Sequence, residues 1–303
     1  MKIRANGIDI EIEDTGTGAD ADGQPRPVVL LIMGLGMQLV AWPPAMVQAL
    51  VEAGYRVIRL DNRDIGLSQK FDHLGKPNLV WASVKYKLGL AVKSPYSLHD
   101  MAADALAVLD ALQVDKAHVV GVSMGGMIAQ RIALAAPQRV LSLTSIMSTS
   151  GARGLPQANP RVMRVLLGRP AGSDADAVIN HYVRLFKAIG SPGFPVDDRE
   201  LRERIALGVM RSFHPAGVLR QMMAIAADSR RAAELAGLHV PTLVVHGKAD
   251  PLVPFACGED TARRIPGASL VGIEGMGHDL PPGVVERVLL PLIPHLHAVR
   301  ATA

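Results

Sequence analysis

Gly121-Val122-Ser123-Met124-Gly125 sets a hydroxyl between small residues at a point where the pattern of the chain changes. A β-branched run, Val119-Val120, leads into it, and an Ala/Ile-rich helical pattern leaves it. A serine wedged between strand and helix sits on a tight, strained turn. The glycines two residues before and two after let neighbouring backbone approach without a Cβ clash. Such a turn lifts the Ser123 hydroxyl above the sheet and points it at the positive end of the next helix. A bare Gly-x-Ser-x-Gly also arises by chance, so its flanking elements and its partners carry the reading.

A serine hydroxyl becomes a nucleophile when a base takes its proton, and the base needs an acidic orienter. An elbow of this kind expects those partners downstream, Asp or Glu first and then His. Val240–Gly247 reads as a buried strand, and the loop that ends it contains Asp250. Ala268–Ile273 reads as another strand, followed by Glu274-Gly275-Met276-Gly277-His278-Asp279. Asp250 and His278 thus fall just past the carboxyl ends of strands, where open α/β sheets place their ligands. Asp279 adjoins the histidine and so points elsewhere.

These pieces resemble the α/β-hydrolase fold superfamily. The matching segments are Gly121–Gly126, His246-Gly-Lys-Ala-Asp250-Pro-Leu-Val-Pro254 and Gly275-Met-Gly-His278, and the resemblance runs from about Val28 to the end, the middle excepted. It implies an α/β fold with a mostly parallel eight-stranded sheet flanked by helices and an inserted helical cap. It also implies Ser123 as nucleophile, His278 as general base and Asp250 as its acid. The family's usual alternative acid site, the loop Met147–Gly151, holds no carboxylate. The oxyanion hole implied comprises the N–H of Met124 and the N–H of Leu35, from the loop Met33-Gly34-Leu35-Gly36. That loop usually opens His-Gly in this superfamily, and here Met33 replaces the His. Without a third glycine at fingerprint spacing it is not a dinucleotide site, and no cofactor or metal is expected.

Leu60-Asp61-Asn62-Arg63-Asp64-Ile65-Gly66-Leu67-Ser68 is similar to the family's Asp-x-Arg-Gly-x-Gly-x-Ser segment, with Asp64 where Gly is common. Arg63 is read as tying this loop to its neighbours with charge-assisted hydrogen bonds, the alternative being a substrate-anion clamp. The Met-Gly loop with Asn-Arg-Asp is similar to a branch that includes aclacinomycin methylesterase, and the elbow is similar to that of 3-oxoadipate enol-lactonases.

The elements that must position these residues follow from periodicity. Strands are expected near 3–14 (as a hairpin), 28–33, 55–60, 117–122 and 140–146, with helices near 42–53, 97–113 and 124–136; Ser97 caps the second. Residues 16–27 read as a hairpin loop. From 151 to 236 no strand is convincing, only helical stretches over 161–167, 174–189, 198–211 and 216–229. The domain reading is therefore a core of 1–150 and 237–303 with a cap of 151–236. A cap excludes water and shapes the pocket. Trp42 and the stretch Leu79–Tyr96, with Trp81 and Tyr86, are rim candidates for which surface packing is the simpler account.

In 303 residues, 49% hydrophobic and 4% aromatic, there is room for one large core plus an insertion. The single cysteine, Cys257, forms no internal disulfide and suits a reducing cytoplasm. The start alternates like a hairpin rather than a signal peptide, and no apolar run reaches membrane-span length. Net charge is +4, but 32 basic residues are scattered among 28 acidic ones, which argues against nucleic acid. The partner expected is a small-molecule ester, with neither nucleic acid nor membrane, and a homodimer is allowed.

The chemistry expected is hydrolysis of small to medium, neutral, apolar carboxylic esters through an acyl-enzyme. Ser123 argues against the dehalogenases and epoxide hydrolases of this fold, which need Asp there. Lactonases, C–C bond hydrolases and cofactor-free haloperoxidases share the serine, and Arg153, Arg161 or Arg164 would suit an anionic lactone. The rival of another class is a non-catalytic binding protein that keeps the shape.

Overall fold

Residues 1–16, 18 and 25–300 are described by the computed structural model, so residues 17 and 19–24 of the loop expected over 16–27 lie outside the described residues. Strands β1 (Lys2–Ala5) and β2 (Ile8–Asp14) pair antiparallel with Ala5 opposite Ile8. The two residues left for the turn, Asn6 and Gly7, both have positive φ (48° and 74°), which a two-residue hairpin with right-handed twist demands. The chain continues through β3 (Val28–Ile32), α1 (Pro44–Glu52), β4 (Arg56–Leu60), α2 (Leu79–Lys87), α3 (Leu98–Ala111), β5 (Ala117–Val122), α4 (Met124–Ala135) and β6 (Val140–Ile146). Five helices follow without a described strand: α5 (Pro160–Leu166), α6 (Ala175–Ile189), α7 (Asp198–Arg211), α8 (Pro215–Ala227) and the short α9 (Arg231–Glu234). The sheet resumes with β7 (Thr242–Gly247), α10 (Phe255–Arg264), β8 (Ser269–Ile273) and α11 (Pro282–Arg300).

The eight strands lie in the order β1-β2-β4-β3-β5-β6-β7-β8. The first two pairings are antiparallel and the other five parallel. Parallel strands covered by helices on both faces are apolar throughout, and β3 is VVLLI with every residue buried. Its alternation divides two cores: Val28, Leu30 and Ile32 pack with α3 and α4, Val29 and Leu31 with α1 and α11. At the start of α3 the Ser97 hydroxyl accepts from the Asp100 N–H (3.2 Å), and the Asp100 carboxylate accepts from the Ser97 N–H (2.7 Å), a reciprocal cap.

Helix α11 was not expected from the sequence. Pro291 and Pro294 interrupt its pattern, yet Val284, Val288, Leu292 and Leu296 form a fully buried stripe against the sheet, and that burial outweighs two missing N–H groups. Trp42 is wholly buried in the core rather than at a rim, whereas Trp81 is exposed. The Tyr86 side chain lies outside the described residues. Among the described residues no helix is long and apolar enough to cross a membrane.

Candidate active site

Ser123 joins β5 to α4 with φ 56° and ψ −120°, a conformation that costs about 1–3 kcal/mol and persists only where its surroundings enforce it. Close packing enforces it here. A Cβ on Gly121 would lie 2.1 Å from the Gly125 carbonyl oxygen, and one on Gly125 would lie 2.0 Å from that of Ile32. The Ser123 N–H donates to the Ile146 carbonyl at the end of β6 (2.9 Å).

Ser123, His278 and Asp250 come together in one chain of hydrogen bonds. The His278 Nε2 lies 3.0 Å from Ser123 Oγ, and its Nδ1 lies 2.7 Å from Asp250 Oδ2. With Nδ1–H donating to the carboxylate, Nε2 is left to accept the serine proton. Asp250 is itself fixed: its Oδ1 accepts from the N–H groups of Leu252 (2.9 Å) and Val253 (2.8 Å) in the turn after β7. Asp279 lines the same cavity, but its Oδ1 accepts from the Ser191 hydroxyl (2.5 Å), and burial raises its carboxyl above the usual range.

The histidine loop is held from a place the sequence did not reveal. The His278 N–H donates to the Ile189 carbonyl at the end of α6 (2.7 Å), and the Gly277 N–H donates to Ser191 Oγ (2.8 Å). The contact is tight enough that a Cβ on Gly277 would lie 2.4 Å from the Gly190 carbonyl oxygen.

The two amides expected at the oxyanion hole flank Ser123. Met124 is the first residue of α4, so its N–H has no partner within the helix. Leu35 is the second residue of a turn closed by the Met37 N–H donating to the Gly34 carbonyl (3.1 Å), with Gly36 at φ 68° as a type II turn requires. A Cβ on Gly34 would lie 3.1 Å from Ser123 Cβ, so this backbone rests directly on the serine. The turn is gripped from the helices above. The Gly36 N–H donates to Oε1 of buried Gln221 on α8 (2.9 Å), and Gln221 Nε2 donates to the Arg63 carbonyl (3.1 Å). Gln38 Nε2 donates to the carbonyls of Gly208 (2.6 Å) and Ser212 (2.8 Å). Neither glutamine carries a sequence signal, because their partners lie more than 150 residues away.

The segment after β4 is bound in structural contacts. Arg63 forms a two-pronged bond with Asp104 (2.5 and 2.6 Å), and Asp64 pairs likewise with the wholly buried Arg220 of α8 (2.6 and 2.8 Å). Burial would raise the Asp64 carboxyl, but Arg220 holds it below the ordinary value.

Over Ser123 lies a cavity of about 230 Å³. Leu166, Tyr182, Leu185, Phe186 and Phe213 reach it from α5, α6 and the loop after α7, while its methionines, Met33, Met37 and Met147, come from the loops of the sheet. Arg153, Arg161 and Arg164 are not among its lining residues; Arg204 is. Among the described residues no group of three or more His, Cys, Asp or Glu is gathered to hold a metal ion.

Beside Asp250 and His278, buried His246 donates from Nε2 to the Val253 carbonyl (2.7 Å), and burial pulls its pKa below 6.5. Folding therefore favours its neutral form. The unfolded chain binds the extra proton first as pH falls below about 6.5, so this stability is present above that pH and lost below it. Urea unfolding at neutral and mildly acidic pH is expected to show a loss that His246→Gln reduces. An unchanged pH dependence in that variant would assign the loss to other groups.

The alpha/beta hydrolase fold family matches residues 27–281. Rhodomycin D methylesterase DauP from Streptomyces sp. (strain C5) is 34% identical, the match covering 88% of this chain and 90% of that protein. 3-oxoadipate enol-lactonase 1 from Acinetobacter baylyi is 28% identical over 76% of this chain and 74% of its own. Among solved structures, a meta-cleavage product hydrolase from Pseudomonas fluorescens IP01 superimposes with a TM-score of 0.74 at 20% identity, covering 98% of this chain and 97% of that one, which speaks to the fold alone. Taken with the sheet order and the strained serine turn, the match over 27–281 shows that this chain belongs to the α/β-hydrolase fold family.

Proposed function

We propose that the protein is a serine carboxylic-ester hydrolase that works through an acyl-enzyme on esters with a small to medium apolar body. The observation that carries this reading is the unbroken path from Ser123 Oγ through the His278 ring to Asp250 at the floor of an apolar cavity. His278 takes the Ser123 proton as the hydroxyl attacks the ester carbonyl, and Asp250 stabilises the imidazolium formed. The Met124 and Leu35 N–H groups receive the oxyanion. His278 then protonates the departing alcohol, and water activated by the same ring releases the acid. Helices α5 to α8 act as a cap over this chemistry, limiting substrate size and excluding water. Similarity to a methylesterase supports a small alcohol as the leaving group.

The test is a fluorophosphonate probe followed by a panel of p-nitrophenyl esters. One equivalent of label per chain at Ser123, with turnover of short acyl esters, is the expected result. Folded protein that stays unlabelled and inert belongs to a binding protein instead.

Gln221 gives a finer test of the oxyanion assignment. Gln221→Met keeps the side-chain length but frees the Gly36 amide and loosens the turn that presents Leu35. A roughly ten- to hundredfold fall in kcat with KM little changed is expected. A fall in stability with kcat unaltered would remove Leu35 from the mechanism.

A further inference from the structure

The proposed mechanism leaves one basic group of the cavity, Arg204, unused. Helix α7 presents Leu201, Arg204, Ile205, Gly208 and Val209 to the cavity, a stripe at three- and four-residue spacing. Apart from Glu200, the other charges of this helix have partners. Arg199 bonds Glu203 (2.8 Å), Arg202 bonds Asp176 (2.7 Å), and Asp198 takes Lys187 (2.6 Å). Arg204 alone of the Lys and Arg side chains lines the cavity, and among the described residues it has no hydrogen bond or ion pair. The contrast with its neighbours is sharp in chemistry: Arg211 is bonded to Asp61 (2.7 Å) and Arg220 to Asp64 (2.6 Å).

A guanidinium carries five N–H donors in a plane that matches two oxygens at once. Arg204 is half-buried in the cavity wall, and none of the cavity's acceptors is bonded to its donors, so a ligand that brings an acceptor oxygen finds them free. The lining carboxylate, Asp279, acts on Arg204 through its charge but is bonded to Ser191 instead.

We infer that Arg204 is a specificity-determining residue that receives an anionic oxygen, a carboxylate or an ionised phenol or enol, on the part of the substrate remote from the scissile ester. The inference rests on the ester-hydrolase reading above. The substrate is then an ester with an apolar body and one acidic group, not a wholly neutral one as the composition of the cap suggests.

The experiment compares matched esters on the wild type, Arg204→Met and Arg204→Lys. One pair is monomethyl glutarate against dimethyl glutarate. The other is the methyl ester of a nitro-substituted hydroxybenzoic acid, ionised in mildly alkaline buffer, against its methoxy analogue. The pairs separate a carboxylate from a phenolate as the group received. For at least one pair, Arg204→Met is expected to lower the anionic-to-neutral ratio of kcat/KM by roughly ten- to hundredfold, with part of the loss restored in Arg204→Lys. Equal losses on both members of each pair would overturn the inference and leave the esterase reading intact, because disturbed packing does not sense charge. If no ester is turned over at all, calorimetric binding of monomethyl glutarate and of the phenolate ester to Ser123→Ala, with and without Arg204→Met, decides the matter. Weaker binding of either without Arg204 supports the site, and equal binding of both, or none, refutes it.

Discussion

Ser123→Ala is expected to lower kcat/KM for any ester substrate by at least about ten-thousandfold, and His278→Ala to do nearly the same. Without the Oγ there is no acyl-enzyme, and without the ring the hydroxyl keeps its proton. Both changes leave the fold intact, since the alanine variant removes one oxygen and the His278 backbone bond to Ile189 remains. The double variant should be little worse than either single one, because the two groups act as one unit. The residue of activity that survives reports the oxyanion amides and the cavity. Steady-state kinetics with titration of active sites gives the measurement, and the acyl-enzyme mechanism fails if Ser123→Ala keeps a tenth of wild-type turnover.

The second large effect is on stability, far from the serine. Where α8 returns the chain toward the sheet, Asp228 is shared by two buried guanidiniums: its Oδ1 accepts from Arg131 Nε (3.0 Å), and it also bonds Arg231. Arg231 donates from its Nε to the Gln130 side chain (2.8 Å), and burial pulls its pKa down to about 10 while Asp228 pushes the other way. Asp228→Ala leaves two buried cations without their common carboxylate. Removing one partner from such a cluster costs about 3–5 kcal/mol, or roughly 5–8 °C in Tm for a chain of this length. Thermal unfolding of Asp228→Ala beside Asp228→Asn measures it; a loss below about 1 kcal/mol in both would show that Arg131 is adequately held by Glu234 and that Arg231 is solvated. The folded fraction should keep wild-type kcat, since neither arginine lines the cavity.

How much of this was legible depends on the range of the forces involved. Local chemistry wrote the elements: the Asn6-Gly7 turn, the Ser97–Asp100 cap and the uninterrupted apolar β3 each answer to neighbours a few residues away. The hydrogen-bonded chain of Ser123, His278 and Asp250 was legible for a related reason. Each member sits in a loop just beyond a strand end, and a parallel sheet brings all such loops to one edge whatever lies between them. Helix α11 escaped because its prolines contradict the local rule that its burial overrides. Gln221, Gln38, Ser191 and Arg204 escaped for another reason. A glutamine bonding an amide 185 residues away, or an arginine left alone on the inner face of α7, looks in sequence like any surface polar residue. The sequence by itself determined the fold and singled out Ser123, His278 and Asp250 as residues that the fold brings together. The tertiary structure alone decided which helices hold the Gly34–Met37 turn and which charge the cavity presents, because those depend on how α7 and α8 settle on the sheet, and long-range packing leaves no periodic trace in the chain.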